Sequence, residues 1–215
     1  MGMTRYEFLA SLHALLEPKV YLEIGVQYGA SLVQAVDADV AYGVDPEPLI
    51  EFTANNRPNQ HIFAMTSDAF FEQRAFVLPP VHLAFIDGMH LVEYALRDYV
   101  NVQKYMSPGG VIVFDDVLPY NSAIADRVQP PGDWTGDVWK LYYILREGTF
   151  QQEPILVDTF PTGAMVLLNV EPSLSMEVPE GEWLSEWVEH MPVPGPILNR
   201  VNAKKPEEIL EMIRE

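Results

Sequence analysis

The chain has 215 residues, of which 31 are Asp or Glu and 13 are Lys or Arg, leaving a formal charge of −18. Apart from Lys204-Lys205 the basic residues are scattered singly, so the positive stripe that a nucleic-acid ligand requires is missing. No apolar run approaches the roughly 20 residues that span a bilayer, and the absence of Cys excludes disulfides, thiolate metal sites and a cysteine nucleophile.

Hydrophobic residues make up 48% and charged residues 20% of the chain, a balance that suits a globular domain with an appended segment rather than disorder. No basic-then-apolar leader opens the sequence, and Tyr6 stands where a myristoylation signal needs Ser or Thr. A cytoplasmic protein, with neither nucleic acid nor membrane as partner, is the expectation.

Thr4 and Glu7 have the spacing of a capping box. Behind them Phe8, Leu9, Leu12, Leu15 and Leu16 recur at helical spacing, and Pro18 lies just beyond. Five short segments rich in apolar or β-branched residues follow: Val20–Ile24, Val40–Val44, His61–Met65, Val81–Ile86 and Val111–Phe114. Several are apolar on both faces, as strands of a sheet covered on each side must be. Helical stretches lie between them, one containing Leu32 and Val33. The clearest is Leu91–Met106, where Val92, Ala95, Leu96, Tyr99, Val102 and Met106 form one stripe. A further helix is expected at Asp137–Glu147. Ile155–Phe160 and Ala164–Val170 read as an antiparallel hairpin across Pro161-Thr162-Gly163. The fold class is therefore α/β, a mostly parallel Rossmann-like sheet with helices on both faces.

This domain occupies residues 1–170, and residues 171–215 differ in texture. The segment is rich in Pro, and from Glu171 to Glu189 it holds acids without a base. It reads as an irregular extension ending in a short amphipathic helix, Pro206–Arg214, with Ile209, Leu210 and Ile213 on the apolar face. Trp183 and Trp187, four apart, can pack together. With Met191 they would form a surface wrap or the contact of a homo-oligomer.

Glu23-Ile24-Gly25-Val26-Gln27-Tyr28-Gly29 follows the first strand. Gly25 permits a sharp turn and Gly29 a close backbone approach, ahead of a helix N-terminus with free amides. Gln27 stands where a dinucleotide fingerprint needs glycine, which disfavours a pyrophosphate and an NAD-linked oxidoreductase. Asp45 closes the second strand, where an acid can accept both hydroxyls of a ribose. Alternatively it is a solvated turn residue.

Asp87 ends the fourth predicted strand and Asp115-Asp116 the fifth. Neighbouring strands lie about 4.8 Å apart, so three like charges meet at one sheet edge and would repel without a cation or protonation. Oxygen ligands suit a hard ion, Mg²⁺ above all, with Ca²⁺ or Mn²⁺ as alternatives. The plainer reading makes these residues turn formers and helix caps. Strand alternation points Asp115 and Asp116 apart. His90, three residues past Asp87, suits a general base at neutral pH; His13, His61, His82 and His190 read as structural or surface residues. Val117–Gly136 is a loop of the length typical of lids, with Tyr120 and Trp134 available to stack on a substrate ring.

Acid-x-Gly-x-x-x-Gly after strand one, with an acid closing strand two, resembles the class I S-adenosylmethionine-dependent methyltransferases. Phe85-Ile86-Asp87-Gly88-Met89-His90, followed by Gly109-Gly110-Val111-Ile112-Val113-Phe114-Asp115-Asp116, is similar to the metal-dependent O-methyltransferases, both catechol and macrolide-sugar types, and to the related cephalosporin-hydroxylase-like group. The resemblance covers roughly residues 18–170. It implies a seven-stranded sheet with an antiparallel last strand and S-adenosylmethionine as cofactor. It also implies Glu23, Gly25, Gly29, Ser31, Asp45, Asp68 and Asp87 around that cofactor, and Asp87, Asp115 and Asp116 on a metal. His90, with Asp87, would be catalytic, and the acceptor would be a hydroxyl of a small molecule. The competing class is a non-catalytic cofactor-binding or assembly protein that retains the fold. No triad of two His and one carboxylate for iron is visible.

Overall fold

In the computed structural model, which describes residues 2–50, 59–147, 150, 152–179 and 181–215, the capping box is formed. The Thr4 hydroxyl accepts the Glu7 amide at 3.2 Å and the Glu7 carboxylate accepts the Thr4 amide at 2.8 Å. This cap starts α1 (Arg5–Leu16), which buries Phe8, Leu9 and Leu12, each burial stabilising by about 1.5–3 kcal/mol. Then come β1 (Val20–Ile24), β2 (Val40–Asp45), β3 (Gln60–Ala64), α2 (Ser67–Gln73), β4 (Val81–Ile86), α3 (Val92–Gln103) and β5 (Met106–Asp115). The described elements continue with α4 (Lys140–Arg146), β6 (Ile155–Val157), β7 (Ala164–Val170), α5 (Glu182–Val188), α6 (Gly195–Leu198) and α7 (Pro206–Arg214).

The strands form a seven-stranded sheet in the order β3-β2-β1-β4-β5-β7-β6, parallel except for β7, which runs antiparallel to both neighbours. Every residue of β1 is buried, which accounts for its apolar character on both faces. One face packs Leu22, Ala84, Ile112 and Phe114 with Leu96 and Tyr99 of α3. The other packs Tyr21, Phe85 and Val113 with α1 and with Ile209 and Leu210 of α7. Register positions the site: Val44, Ile24, Ile86 and Phe114 pair in one row across β2, β1, β4 and β5. The next residue on each strand is Asp45, Gly25, Asp87 or Asp115.

One local expectation is corrected. The helix expected around Leu32 and Val33 is a single 3₁₀ turn, Leu32–Gln34. Val33, Val36, Asp37 and Asp39 all favour other conformations, and β2 begins before a longer helix can develop. The helical stretch expected between the third and fourth strands is α2, and the Thr66 hydroxyl caps it by accepting the Ala69 amide.

The tail folds back on its own chain. Lys204 donates its amide to Leu156 and accepts from Asp158, both at 2.8 Å, and Ile197, Ile209 and Leu210 join the core. The buried Lys140 ammonium bonds Asp137 at 2.9 Å and the carbonyls of Trp187 and Glu189 at 2.7 and 2.9 Å. Trp183 packs 6.4 Å from both Phe150 and Trp187. The tryptophans invoked for an oligomer contact thus have intrachain partners. Among the described residues no helix is long and apolar enough to cross a membrane.

His13 is fully buried, edge-on to Tyr21 at 4.6 Å, with neither ring nitrogen hydrogen-bonded. Burial pushes its pKa down to about 4. A depressed histidine favours the neutral folded state, so its stabilisation is complete above about 6.5 and is lost as pH falls through 4. His13→Leu, which conserves volume, should therefore narrow the stability difference between neutral and acidic pH in urea titrations. An unchanged pH profile would show that His13 does not contribute.

Candidate active site

A cavity of about 1040 Å³ opens above the row of strand ends. Its floor depends on glycine. Gly25 has φ +88°, and a Cβ there would lie 1.8 Å from the Asp87 carbonyl oxygen, so only glycine lets the ends of β1 and β4 approach this closely. Gly29, at φ +74°, donates its amide to the Val26 carbonyl at 2.7 Å. It shapes the turn without itself lining the cavity.

Asp45 closes the same turn from β2. One carboxylate oxygen accepts the amides of Val26 and Gln27 at 2.9 and 2.8 Å, and the other accepts that of Glu47 at 2.7 Å. Asp45 and Ser31 line the cavity, whereas Glu23 lies beneath it, fully buried. Glu23 accepts from Tyr21 at 2.6 Å and from the Ser31 hydroxyl at 2.7 Å. Burial pushes its pKa up to about 8, against the pull of those two hydrogen bonds. Its contact with the cavity therefore runs through Ser31.

At one end Asp68 pairs with Arg97 at 2.9 Å, and the Arg97 guanidinium sits over the Tyr94 ring. All three line the cavity. At the other end Asp87, His90 and Asp116 bring ligand atoms within 4.8 Å of one another. His90 Nε2 lies 3.5 Å from Asp87, and Nδ1 lies 3.3 Å from Asp116. The shorter contact is Nδ1 to the Trp134 carbonyl, 2.6 Å, which accepts the Nδ1 proton and leaves Nε2 toward Asp87. Burial lowers the His90 pKa, but Asp87 and Asp116 outweigh it and raise the value to about 9. Asp116 is itself raised to about 6, by burial and then by Asp87, with His90 opposing.

The structure divides the three acids expected on a metal. Asp116 has φ +64°, so the chain turns out of β5 there and the adjacent carboxylates diverge. Asp116 meets His90, while Asp115 stays on the strand, outside the cavity lining, against Arg5 Nε at 2.9 Å. Burial and the neighbouring Asp116 and Asp87 push the Asp115 pKa up, with Arg5 opposing. His90 takes the place in the cluster that Asp115 was expected to hold.

The long loop is pinned. Asp137 accepts the Val92 amide at 2.8 Å, capping α3 from 45 residues away, and also binds Arg127 at 2.6 Å. A Cβ on Gly136 would lie 1.6 Å from the His90 carbonyl oxygen. The loop stacks Trp134 on His90, ring centroids 5.2 Å apart. Tyr120 instead bonds Asp133 at 2.8 Å and does not line the cavity. Sequence reasoning missed the remaining wall, made of Thr4–Tyr6 and Phe160–Thr162. The capping box marked where α1 starts, but nothing local indicated that its first turn faces Phe160, whose carbonyl accepts the Arg5 amide.

Residues 22–117 match a family model described as a methyltransferase domain. Over about three quarters of the chain the fold is similar to solved methyltransferase structures. It is similar to cofactor-bound Rv0187 from MTB (TM-score 0.61, 17% identity, 76% of this chain and 78% of that one). It is also similar to an O-methyltransferase from Bacillus cereus in complex with SAH (0.58, 15%, 75% and 79%). A third likeness is the O-methyltransferase TomG from Streptomyces achromogenes in complex with SAM (0.52, 17%, 75% and 78%). A curated protein of Acanthamoeba polyphaga mimivirus, uncharacterized protein R132, is 30% identical over 115 residues, 46% of this chain. The chain spans about half the length of that relative, 52%.

Behind the Asp68 end of the cavity, Asp98 is buried, and burial pushes its pKa up to about 7 against the pull of Ser67. A raised acid favours the protonated folded state. Its contribution is complete below about 3.9 and is lost as pH rises through 7. Asp98→Asn should therefore gain stability relative to wild type between pH 5 and pH 8 in paired denaturant titrations. A pH-independent difference would mean that Asp98 does not titrate in this range.

Proposed function

We propose that the protein transfers the methyl group of S-adenosylmethionine to a hydroxyl oxygen of a small molecule, a sugar or a catechol-like diol, assisted by a divalent cation. The observation that carries this reading is a single cavity joining the Gly25 turn, Ser31 and Asp45 to the group Asp87, His90 and Asp116. The first end fits the cofactor: Asp45 for its ribose, Asp68 for its base, and Gly25 and Ser31, the latter braced by Glu23, for its methionine part. Asp87 stands where the two ends meet. At the second end the carboxylates of Asp87 and Asp116, grouped with His90 within 4.8 Å, fit a cation, and oxygen donors favour a hard one such as Mg²⁺.

S-adenosylmethionine supplies a methyl carbon activated by its sulfonium, and Mg²⁺ supplies Lewis acidity that favours an ionised hydroxyl. Asp87 and Asp116 hold the cation. His90 takes the hydroxyl proton on Nε2, because the Trp134 carbonyl keeps the other nitrogen protonated. Neutralising Asp87 and Asp116 returns the imidazole toward its ordinary range. Trp134 covers the ring and limits water at the reacting hydroxyl. With the cofactor bound, its sulfonium would give up the methyl group to the hydroxyl oxygen, and the hydroxyl proton would leave through His90. A cytoplasmic homo-oligomer completes the reading: the lack of Cys suits a reducing compartment, and Leu174 and Met191 of the tail remain exposed.

Two measurements test it. Asp45→Ala should weaken S-adenosylmethionine binding in calorimetry by about 1.5–3 kcal/mol, the worth of hydrogen bonds to a charged group; unchanged affinity, or tighter binding of NAD, refutes the cofactor assignment. With a panel of catechols and glycosides, chelation should abolish turnover, Mg²⁺ should restore it, and His90→Ala should lower the rate roughly 10²–10⁴-fold. If His90→Ala instead abolishes Mg²⁺ binding, the imidazole is a ligand and not the base. Cofactor binding without turnover of any acceptor would favour the non-catalytic assembly protein.

A further inference from the structure

We infer that the methyl acceptor carries a carboxylate, and that the outer edge of the Arg5 guanidinium binds it; this rests on the O-methyl-transfer reading of the same cavity. Arg5 is the first residue of α1 and forms part of the acceptor-end wall. Its Nε is buried, 2.9 Å from Asp115. Its side chain nevertheless keeps 25% exposure and lines the cavity. One Nη bonds the Tyr6 hydroxyl at 3.1 Å. The other makes no hydrogen bond within the described residues. A guanidinium whose Nε lies against Asp115, with one Nη on Tyr6 and the other without a hydrogen bond among the described residues, keeps donors of the planar fork that a carboxylate matches.

Asp115 explains why the fork is held still. Its side chain is 1% exposed and neither oxygen has an aligned hydrogen-bond donor. Burying such a pair contributes little net stability, but it fixes the guanidinium plane. Asp115 is thus a positioning residue. Other charges near this end are already matched, Asp87 and Asp116 by His90, and at the far end Arg97 by Asp68. Arg5 is the cation with an open donor edge among the described residues lining the acceptor end. A dianionic phosphate would face Asp87, Asp115 and Asp116 across the same edge, so a singly charged carboxylate is the fit.

The test uses the full chain saturated with SAH and Mg²⁺, so it needs no turnover. Calorimetry compares protocatechuate with catechol, and glucuronate with glucose. In at least one pair the acid should bind about tenfold or more tightly, the worth of a charge-assisted hydrogen bond. The preference should shrink in Arg5→Lys, which keeps the charge without the fork, and vanish in Arg5→Gln. Because Arg5→Gln strands a buried acid, Arg5→Gln/Asp115→Asn is measured beside it, with circular dichroism to verify folding. Equal or absent binding in both pairs, or a preference that survives in the folded double variant, overturns the carboxylate site. If catechol is methylated without any preference for the acid, O-methyl transfer stands and only this inference falls. Failure to bind SAH overturns the parent reading instead.

Discussion

The contact between the Gly25 α-carbon and the Asp87 carbonyl is the constraint on which the cavity depends. Any Cβ at Gly25 would sit 1.8 Å from that oxygen, so the ends of β1 and β4 meet backbone to backbone. Their pairing fixes the register row Val44–Ile24–Ile86–Phe114, and the row delivers Asp45, Asp87 and Asp115 to one edge at strand spacing. A one-residue slip on any of these strands would turn its acid to the opposite face. The site is therefore a property of the sheet's register more than of its loops.

Collecting acids at one edge has a cost that the fold meets locally. Glu23 is matched by two hydroxyls, Asp115 by Arg5, Asp87 and Asp116 by His90, and Asp137 by Arg127 and Lys140. The last of these reaches furthest: Asp137 caps α3, while Lys140 ties it to the carbonyls of Trp187 and Glu189. Loop, helix and tail are thus joined through one buried carboxylate. Removing a partner from such a group exposes an unpaired buried charge, which costs more than the pair contributes.

The elements legible in the sequence were those that a local rule decides. β1 and β4 read as strands because apolar side chains fill both faces. The Thr4–Glu7 box located α1, and Pro206 began the last helix at the expected residue. The short 3₁₀ turn after Gly29 defeated the expectation of a helix because β-branched and acidic residues outweighed the pattern. Because β5 ends at Asp115, strand alternation could not decide which of Asp115 and Asp116 stays at the cavity. That is decided by the positive φ at Asp116 and by Arg5, which is distant in sequence and carries no motif.

The division of the cavity between chain segments bears on how far the family likeness reaches. The matched segment, residues 22–117, contains the Gly25 turn, Asp45, Asp68, Asp87, His90 and Asp116. The remaining wall is built from Thr4–Tyr6, Asp133–Trp134 and Phe160–Thr162, all outside that segment. These pieces are held by tertiary contacts: α1 by the Phe160 carbonyl, the loop by Asp137, and the Phe160–Thr162 strand connection by Arg200, which bonds the Pro161 carbonyl. A shared fold can carry a shared cofactor chemistry while its loops set the acceptor. What the relatives act on therefore says little about the molecule that enters here, and the side chains that choose it are the ones the fold brings from its two ends.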